Sequence, residues 1–459
     1  MKRRESASLE RWLKNPRRKP LVVWGARQVG KTYLIRDLFA KQYFPDNYIY
    51  IDFRIEKEIS DYCSETVNPK DIISFISLVK KQKINENTLL IFDEIQECPA
   101  IITSLKYFCQ DYRNIPVIAT GSMVRIKIQR LTRKRGIASS EQQFLFPVGK
   151  INQMTLYPMT FDEFLLNYNP QLYSIIEQAY HTGNALDGPY HDYAMDVLYK
   201  YLLVGGMPEA AETYIETEDY IETGNILKDL YDNYLSDMEL YQASPESVVR
   251  SQKLFKGIYR ELNRDSKNFS PGLLESKSRG RDFQAPIDWL TMAHIVHQSF
   301  QLKEHVTLPL IQDDNALFRL YLGDIGMFSY QSGLNASAFV SKEGQNSLSG
   351  IFFENYAAQE LTARGISLFY WKGKNDAEME FIVETDNKII PLDVKKGRGS
   401  LGSLEKFRNH NGNGLAIKIS RNHYGYDNYN NLLTIPLYEM PFLAADIAAG
   451  KIMDLIKST

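Results

Sequence analysis

Cysteine is scarce in this 459-residue chain: Cys63, Cys98 and Cys109 are all there is, an odd number without metal-ligand spacing. That argues against a disulfide framework and a cysteine-rich metal module, and predicts reduced core thiols in a cytosolic protein. No uninterrupted stretch of about 18 apolar residues occurs, so no membrane-spanning helix is expected. An excess of one charge is missing too. The 54 Lys and Arg face 56 Asp and Glu, a net charge of −2. No global field draws the chain to nucleic acid or membrane, and any nucleic-acid surface must be a local patch. Internal repeats and low-complexity tracts are absent, and no apolar signal-peptide segment follows Met1-Lys2-Arg3-Arg4-Glu5. The 44 % apolar and 24 % charged residues are those of an ordinary soluble protein. The length predicts roughly two to four domains.

Against this background Gly25-Ala26-Arg27-Gln28-Val29-Gly30-Lys31-Thr32 stands out, because it fits G-x-x-x-x-G-K-[ST] at every fixed position. The apolar run Leu21-Val22-Val23-Trp24 leads in and a helix-compatible stretch, Tyr33 to Ala40, leads out. Strand, loop and helix are the context the pattern requires. Successive N–H groups of a glycine-rich turn and the helix start form a concave donor surface for anionic oxygens. The expected ligand is ATP with Mg²⁺: Lys31 would reach the β- and γ-phosphates and the Thr32 hydroxyl would ligate the metal.

Hydrolysis needs an acid for the metal and a base for water. Both stand at the end of Thr88-Leu89-Leu90-Ile91-Phe92-Asp93-Glu94, whose apolar run reads as a buried parallel strand. Asp93 would hold the Mg²⁺ water shell and Glu94 would polarise the attacking water. A strand at Tyr48–Phe53, helices near Asp71–Lys81 and Ala100–Asp111, and a strand at Pro116–Thr120 complete an alternating pattern. Such alternation argues for an α/β parallel sheet with helices on both faces. One extra strand is expected between the phosphate loop and the acidic strand. Thr120 and Ser122 would then lie at the carboxyl edge of the sheet, either sensing the γ-phosphate or capping the next turn.

The segment Phe92-Asp93-Glu94-Ile95-Gln96-Glu97-Cys98-Pro99, with Ala119-Thr120-Gly121-Ser122, resembles AAA-type ATPases of the archaeal-ATPase class, relatives of the STAND ATPases. Further matches are Tyr157-Pro158-Met159-Thr160-Phe161-Asp162-Glu163-Phe164 and Gly205-Gly206-Met207-Pro208-Glu209. The resemblance implies a P-loop ATPase core over 1–160, a helical lid over 161–244 and a winged-helix-like domain over 245–330. Where relatives carry a Gly-Arg pair before the Phe161 segment, this chain has Gly149-Lys150. Lysine lacks the planar fork of an arginine finger, which leaves Arg125, Arg130, Arg133 and Arg135 as alternatives in a basic loop. In the middle region, patterns at Val248–Asn263 and Pro286–Phe300 read as helices flanking the basic run Lys277-Ser278-Arg279-Gly280-Arg281. Such a run can contact DNA phosphates; the alternative role is a protein-binding or hinge module.

The region 331–459 carries another constellation. Glu354 lies in a helical run, Ile351 to Leu361; Glu380 lies in Ala377–Val383; and Asp393-Val394-Lys395 ends the strand Ile389 to Val394. A turn around Thr385-Asp386-Asn387 would join the last two as a hairpin. Alternation puts Asp393 and Lys395 on one face, where two carboxylates could bind Mg²⁺ beside an ammonium. This is similar to the PD-(D/E)XK nucleases, a restriction-endonuclease-like α/β fold, with Glu380 where those enzymes usually carry aspartate. The resemblance implies Glu354, Glu380 and Asp393 as metal ligands and Lys395 as the catalytic ammonium. Phe442–Ile456 reads as a terminal amphipathic helix. The expected partners are ATP, DNA through the middle and C-terminal regions, and a second copy of the chain; no membrane is expected.

Overall fold

The computed structural model describes residues 1–121, 147–241, 244–312, 317–374, 377–397 and 401–453. They gather into two compact units, one of residues 2–157 and 292–294, the other of residues 1, 158–291 and 295–459.

The first unit is built on five strands: β1 (Leu21–Gly25), β2 (Tyr48–Asp52), β3 (Leu89–Asp93), β4 (Val117–Thr120) and β5 (Asn152–Leu156). All neighbours are parallel, in the order β2-β3-β4-β1-β5. The expected extra strand, β4, therefore lies between the loop strand β1 and the acidic strand β3. Alternate side chains serve opposite faces. Val22, Trp24, Ile51, Leu90, Phe92 and Ala119 pack on one side, beneath the helices Lys57–Glu65, Pro69–Lys80 and Pro99–Asp111. Leu21, Val23, Leu89, Ile91 and Ile118 pack on the other, with the helices Glu5–Lys14 and Tyr33–Ala40. Burial on both faces is what continuous apolar strands require. The edge strand β5 has no such run: Asn152 and Gln153 are exposed, and register with β1, Gly25 opposite Leu156, defines it. Together with the loop between β1 and Tyr33–Ala40, this is a P-loop NTPase-like sheet.

The second unit begins with helices Phe161–Tyr168, Pro170–Thr182, Gly188–Val204, Pro208–Thr217 and Tyr220–Tyr241. Three further helices, Pro245–Leu262, the short Pro271–Leu274 and Gly280–Met292, precede an antiparallel pair, β6 (Val296–Gln301) and β7 (Phe318–Leu322). The expectation of one helix over Pro286–Phe300 is thus corrected. His294 takes a left-handed φ of 58°, which ends the helix, and the next residues alternate as a strand between β7 and β8 (Leu368–Lys372). Strand β9 (Glu378–Met379) completes that four-stranded sheet, β7-β6-β8-β9. A five-stranded sheet follows: β10 (Phe381–Thr385), β11 (Lys388–Val394), β12 (Ala416–Ser420), β13 (Gly425–Asp427) and β14 (Leu432–Pro436), ordered β10-β11-β12-β14-β13. The hairpin β10–β11 turns through Asp386 and Asn387, φ 50° and 55°, the left-handed pair of a two-residue turn. The last helix described in full, Met440–Ala449, buries Met440, Phe442, Leu443, Ala444 and Ile447. It is an apolar packing helix, shorter than the amphipathic one expected; residues 454–459 lie outside the described residues.

A tight crossing holds this unit together. Asp324 accepts from the N–H of Gly206 at 2.7 Å and of Met327 at 3.0 Å, the latter capping the helix Ile325–Ser332. A Cβ on Gly206 would come within 1.9 Å of the Met159 carbonyl oxygen, and one on Gly326 within 2.4 Å of that of Val204. Gly206 and Gly326 are therefore both sites of backbone-to-backbone approach.

Candidate functional site

The loop Gly25–Thr32 leaves β1 at the carboxyl edge of the sheet, where ligands bind in open α/β folds. Its turn depends on positive φ at Gly25 (149°), Gln28 (62°) and Gly30 (89°). At Gly25 nothing larger fits, since a Cβ would lie 2.2 Å from the Leu156 carbonyl oxygen. Ala26 and Val29 turn inward to the core, whereas Arg27, Gln28 and Gly30 face outward. The Lys31 ammonium donates to the carbonyls of Gly25 at 3.1 Å and Ala26 at 2.7 Å. Burial lowers its pKa to about 8, against the opposing pull of Glu94 and Asp93.

Asp93 is the hub beside the loop. Its Oδ2 accepts from the hydroxyls of Thr32 at 2.7 Å and Tyr50 at 2.8 Å. Its Oδ1 accepts from the Thr120 hydroxyl and from the Glu94 N–H at 2.9 Å. Parallel register explains the convergence: Asp52 of β2 lies opposite Asp93 of β3, and Val23 of β1 opposite Thr120 of β4, so the carboxyl ends of four strands meet. Glu94 leaves β3 in a left-handed conformation, φ 54° and ψ 44°, costly for a non-glycine residue and concentrated at functional sites. Its carboxylate accepts from the Gln96 amide and lies 4.0 Å from the Arg54 guanidinium.

Residues 17–165 match the family model of the AAA domain. The loop, the acidic strand and the Thr160–Phe164 segment all fall within this AAA domain. Residues 195–338 and 349–438 match two further families, each described only as a domain of unknown function. Among solved structures, a Walker-type ATPase of Pyrococcus abyssi is similar at 16 % identity, over 72 % of this chain and 94 % of its own, with a TM-score of 0.42. No curated protein matches the chain. The AAA match supports a P-loop ATPase-like domain in this part of the chain.

The structure brings Gly25 to Thr32, Asp93, Glu94 and Thr120 to one edge. Ser122 and the candidate fingers Arg125, Arg130, Arg133 and Arg135 lie outside the described residues. Lys150 sits in a turn, its N–H bonded to Pro147. Sequence reasoning missed Tyr50. The alternation of β2 was legible, but the reach of a phenol to the neighbouring strand's carboxylate was not.

In the second unit Glu380, Asp393 and Lys395 come together: the Lys395 ammonium lies 2.7 Å from Glu380 and 3.0 Å from Asp393. Burial and the charge of Asp393 push the Glu380 carboxyl well above its ordinary range, against the pull of Lys395. Glu354 is engaged elsewhere. It accepts from Lys267 at 2.5 Å, Arg319 at 3.3 Å and Tyr321 at 2.6 Å. Lys267 and Arg319 also bind Glu378, holding its carboxyl down to about 2 against burial. Among the described residues no group of three or more His, Cys, Asp or Glu is arranged to hold a metal ion. Lys277, Arg279 and Arg281 precede or open the helix Gly280–Met292, and all but Ser278 and Gly280 of this run carry charge. Cys63, Cys98 and Cys109 are buried free thiols. Among the described residues no helix is long and apolar enough to cross a membrane.

Proposed function

We propose that the first unit binds ATP with Mg²⁺ and hydrolyses it, and that its nucleotide state governs the C-terminal module. The observation that carries this reading is the meeting of a positive-φ loop, a partly buried lysine and a hydroxyl–carboxylate pair at one sheet edge. The residues suit the ligand. The Lys31 ammonium donates to two backbone carbonyls and its pKa is lowered by burial despite Glu94 and Asp93, so a polyphosphate would add the close counter-charge that favours its charged form. Thr32 and Asp93 present two oxygen donors side by side, the chemistry a hard divalent cation selects. When bound, Mg²⁺ supplies charge neutralisation at the phosphate oxygens. The chain does the rest. The loop N–H groups bind and orient the triphosphate, and Glu94 takes the proton of the water that attacks the γ-phosphorus as the bond to the bridging oxygen breaks. The Lys31→Ala variant is expected to abolish the heat of ATP titration in calorimetry. Unchanged affinity would remove this site.

For the C-terminal module two readings compete. Glu380, Asp393 and Lys395 support a nuclease-like effector: the two carboxylates would hold a divalent cation, which would supply charge neutralisation at a phosphodiester, and the Lys395 ammonium would stand beside them. The ion pairs on Glu354 favour a non-catalytic recognition module, because the third acid is already neutralised by Lys267 and Arg319. Incubating wild type and Lys395→Ala with plasmid, single strands and RNA in Mg²⁺ or Mn²⁺ separates them. Cleavage by wild type alone supports the nuclease; cleavage by neither supports the recognition module. The 245–330 region would serve as a winged-helix-like DNA contact, for which charge reversal at Lys277, Arg279 and Arg281 should weaken DNA retention.

A further inference from the structure

The matched AAA domain begins at residue 17, yet residues before it touch the phosphate loop. The Arg3 guanidinium is buried, with its side chain 3 % exposed. One arm donates to the carbonyl of Val29 inside the loop at 3.0 Å. The other donates at 2.7 Å to the carbonyl of Tyr157, just past the end of β5. The residue before it, Leu156, is the one whose carbonyl closes on Gly25 at the loop's start. The strand end therefore grips the loop at both sides: by direct contact at Gly25, and through Arg3 at Val29.

The rest of the N-terminal segment anchors that arginine. In the helix Glu5–Lys14, Leu9 and Trp12 pack in the same apolar cluster as Ala26, Val29, Leu34 and Phe39, and the Trp12 ring lies 6.4 Å from that of Phe39. The Trp12 indole N–H donates to the Lys19 carbonyl at 2.8 Å, so the helix returns the chain directly to β1. Glu5, also buried, lies 3.9 Å from Arg3. A guanidinium suits this place because its planar fork reaches two carbonyls at fixed angles, which an ammonium cannot do in the same geometry.

We propose that Arg3 is a positioning residue of the nucleotide site: it braces the phosphate loop against β5 and holds the donor surface in its binding shape before ligand arrives. The affinity half of this proposal rests on the nucleotide reading given above; the brace itself does not. Preorganisation of this kind shows as affinity, because an unbraced loop must be ordered at the moment of binding.

Arg3→Met and Arg3→Lys test it, with Leu9→Ala as a purely structural comparison. The measurements are the affinity for a fluorescent ATP analogue with Mg²⁺, amide hydrogen exchange across residues 25–32 without nucleotide, and thermal melting. Arg3→Met is expected to exchange the loop amides and to release the analogue about tenfold more readily, the order of one lost hydrogen-bonded contact. Arg3→Lys should fall between it and wild type. Loop exchange and affinity equal to wild type in Arg3→Met would overturn the proposal. So would loosening of the loop no greater than that of β1 and β4, or no greater than in Leu9→Ala. Should Arg3→Met fail to fold, Arg3→Lys decides, with wild-type loop exchange counting against the brace. Absence of analogue binding by wild type would refute the nucleotide reading, while the exchange arm still judges Arg3.

Discussion

At the scale of single residues, the first unit is organised around one carboxylate. Asp93 collects donors from Thr32, Tyr50, Thr120 and Glu94, which come from the loop, β2, β4 and its own strand end. A carboxylate with that many donors is fixed in rotamer, and fixed geometry is what metal and phosphate positioning require. Glu94 differs: its side chain is 21 % exposed, and its backbone is left-handed. That difference suits one acid for the metal and another for the water. Glu94→Gln keeps the shape and loses the basicity. It is expected to bind ATP as wild type does and to lose at least about a hundredfold in turnover. Phosphate release at the wild-type rate would exclude Glu94 as the base.

At the scale of elements, the second unit depends on close backbone crossings that only glycine allows. Gly206→Ala would force the Met159 carbonyl aside and is expected to destabilise that unit by more than about 2 kcal/mol in urea unfolding, a cost of the overpacking kind. Asp324 bonds the same crossing, and its pH behaviour has a definite sign. Burial raises its carboxyl from 3.8 to about 6, with the backbone N–H bonds of Gly206 and Met327 opposing. The folded state thus holds the proton more tightly than the unfolded chain. The stability this contributes is full below 3.8 and is lost as pH rises to about 6. The advantage of wild type over Asp324→Asn in thermal melting should therefore shrink across that window. A gap that widens with pH would mean that the backbone bonds outweigh burial.

At the scale of the whole molecule, the described residues hold the proposed nucleotide site in one unit and a buried set of charges in the other. The candidate arginine fingers lie in the 122–146 segment, outside the described residues. A finger supplied by a neighbouring copy would require assembly with nucleotide. Size measured by light scattering, with and without a non-hydrolysable ATP analogue, is expected to show a nucleotide-dependent oligomer. A monomer in both conditions, together with undiminished hydrolysis on dilution, would exclude a finger in trans.

Much of the first unit was legible in the sequence. Gly25, Gly30, Lys31 and Thr32 announced by their spacing the turn that follows β1, since such a loop is a local backbone shape. The apolar runs ending in Asp93 and Thr120 declare buried parallel strands, and the extra strand between β1 and β3 followed from them. The Asp386-Asn387 turn was equally local, because those residues tolerate left-handed φ. What only the tertiary structure decided were meetings of residues far apart in the chain: Arg3 with Val29 and Tyr157, Tyr50 with Asp93, and Lys267 and Arg319 with Glu354. Periodicity reports which face a side chain takes, not who waits across from it. It failed outright at residues 296–300, where helical spacing yielded to pairing between β7 and β8. Local backbone preference is written in neighbouring residues, whereas the partner of a buried charge is set by packing over the whole unit.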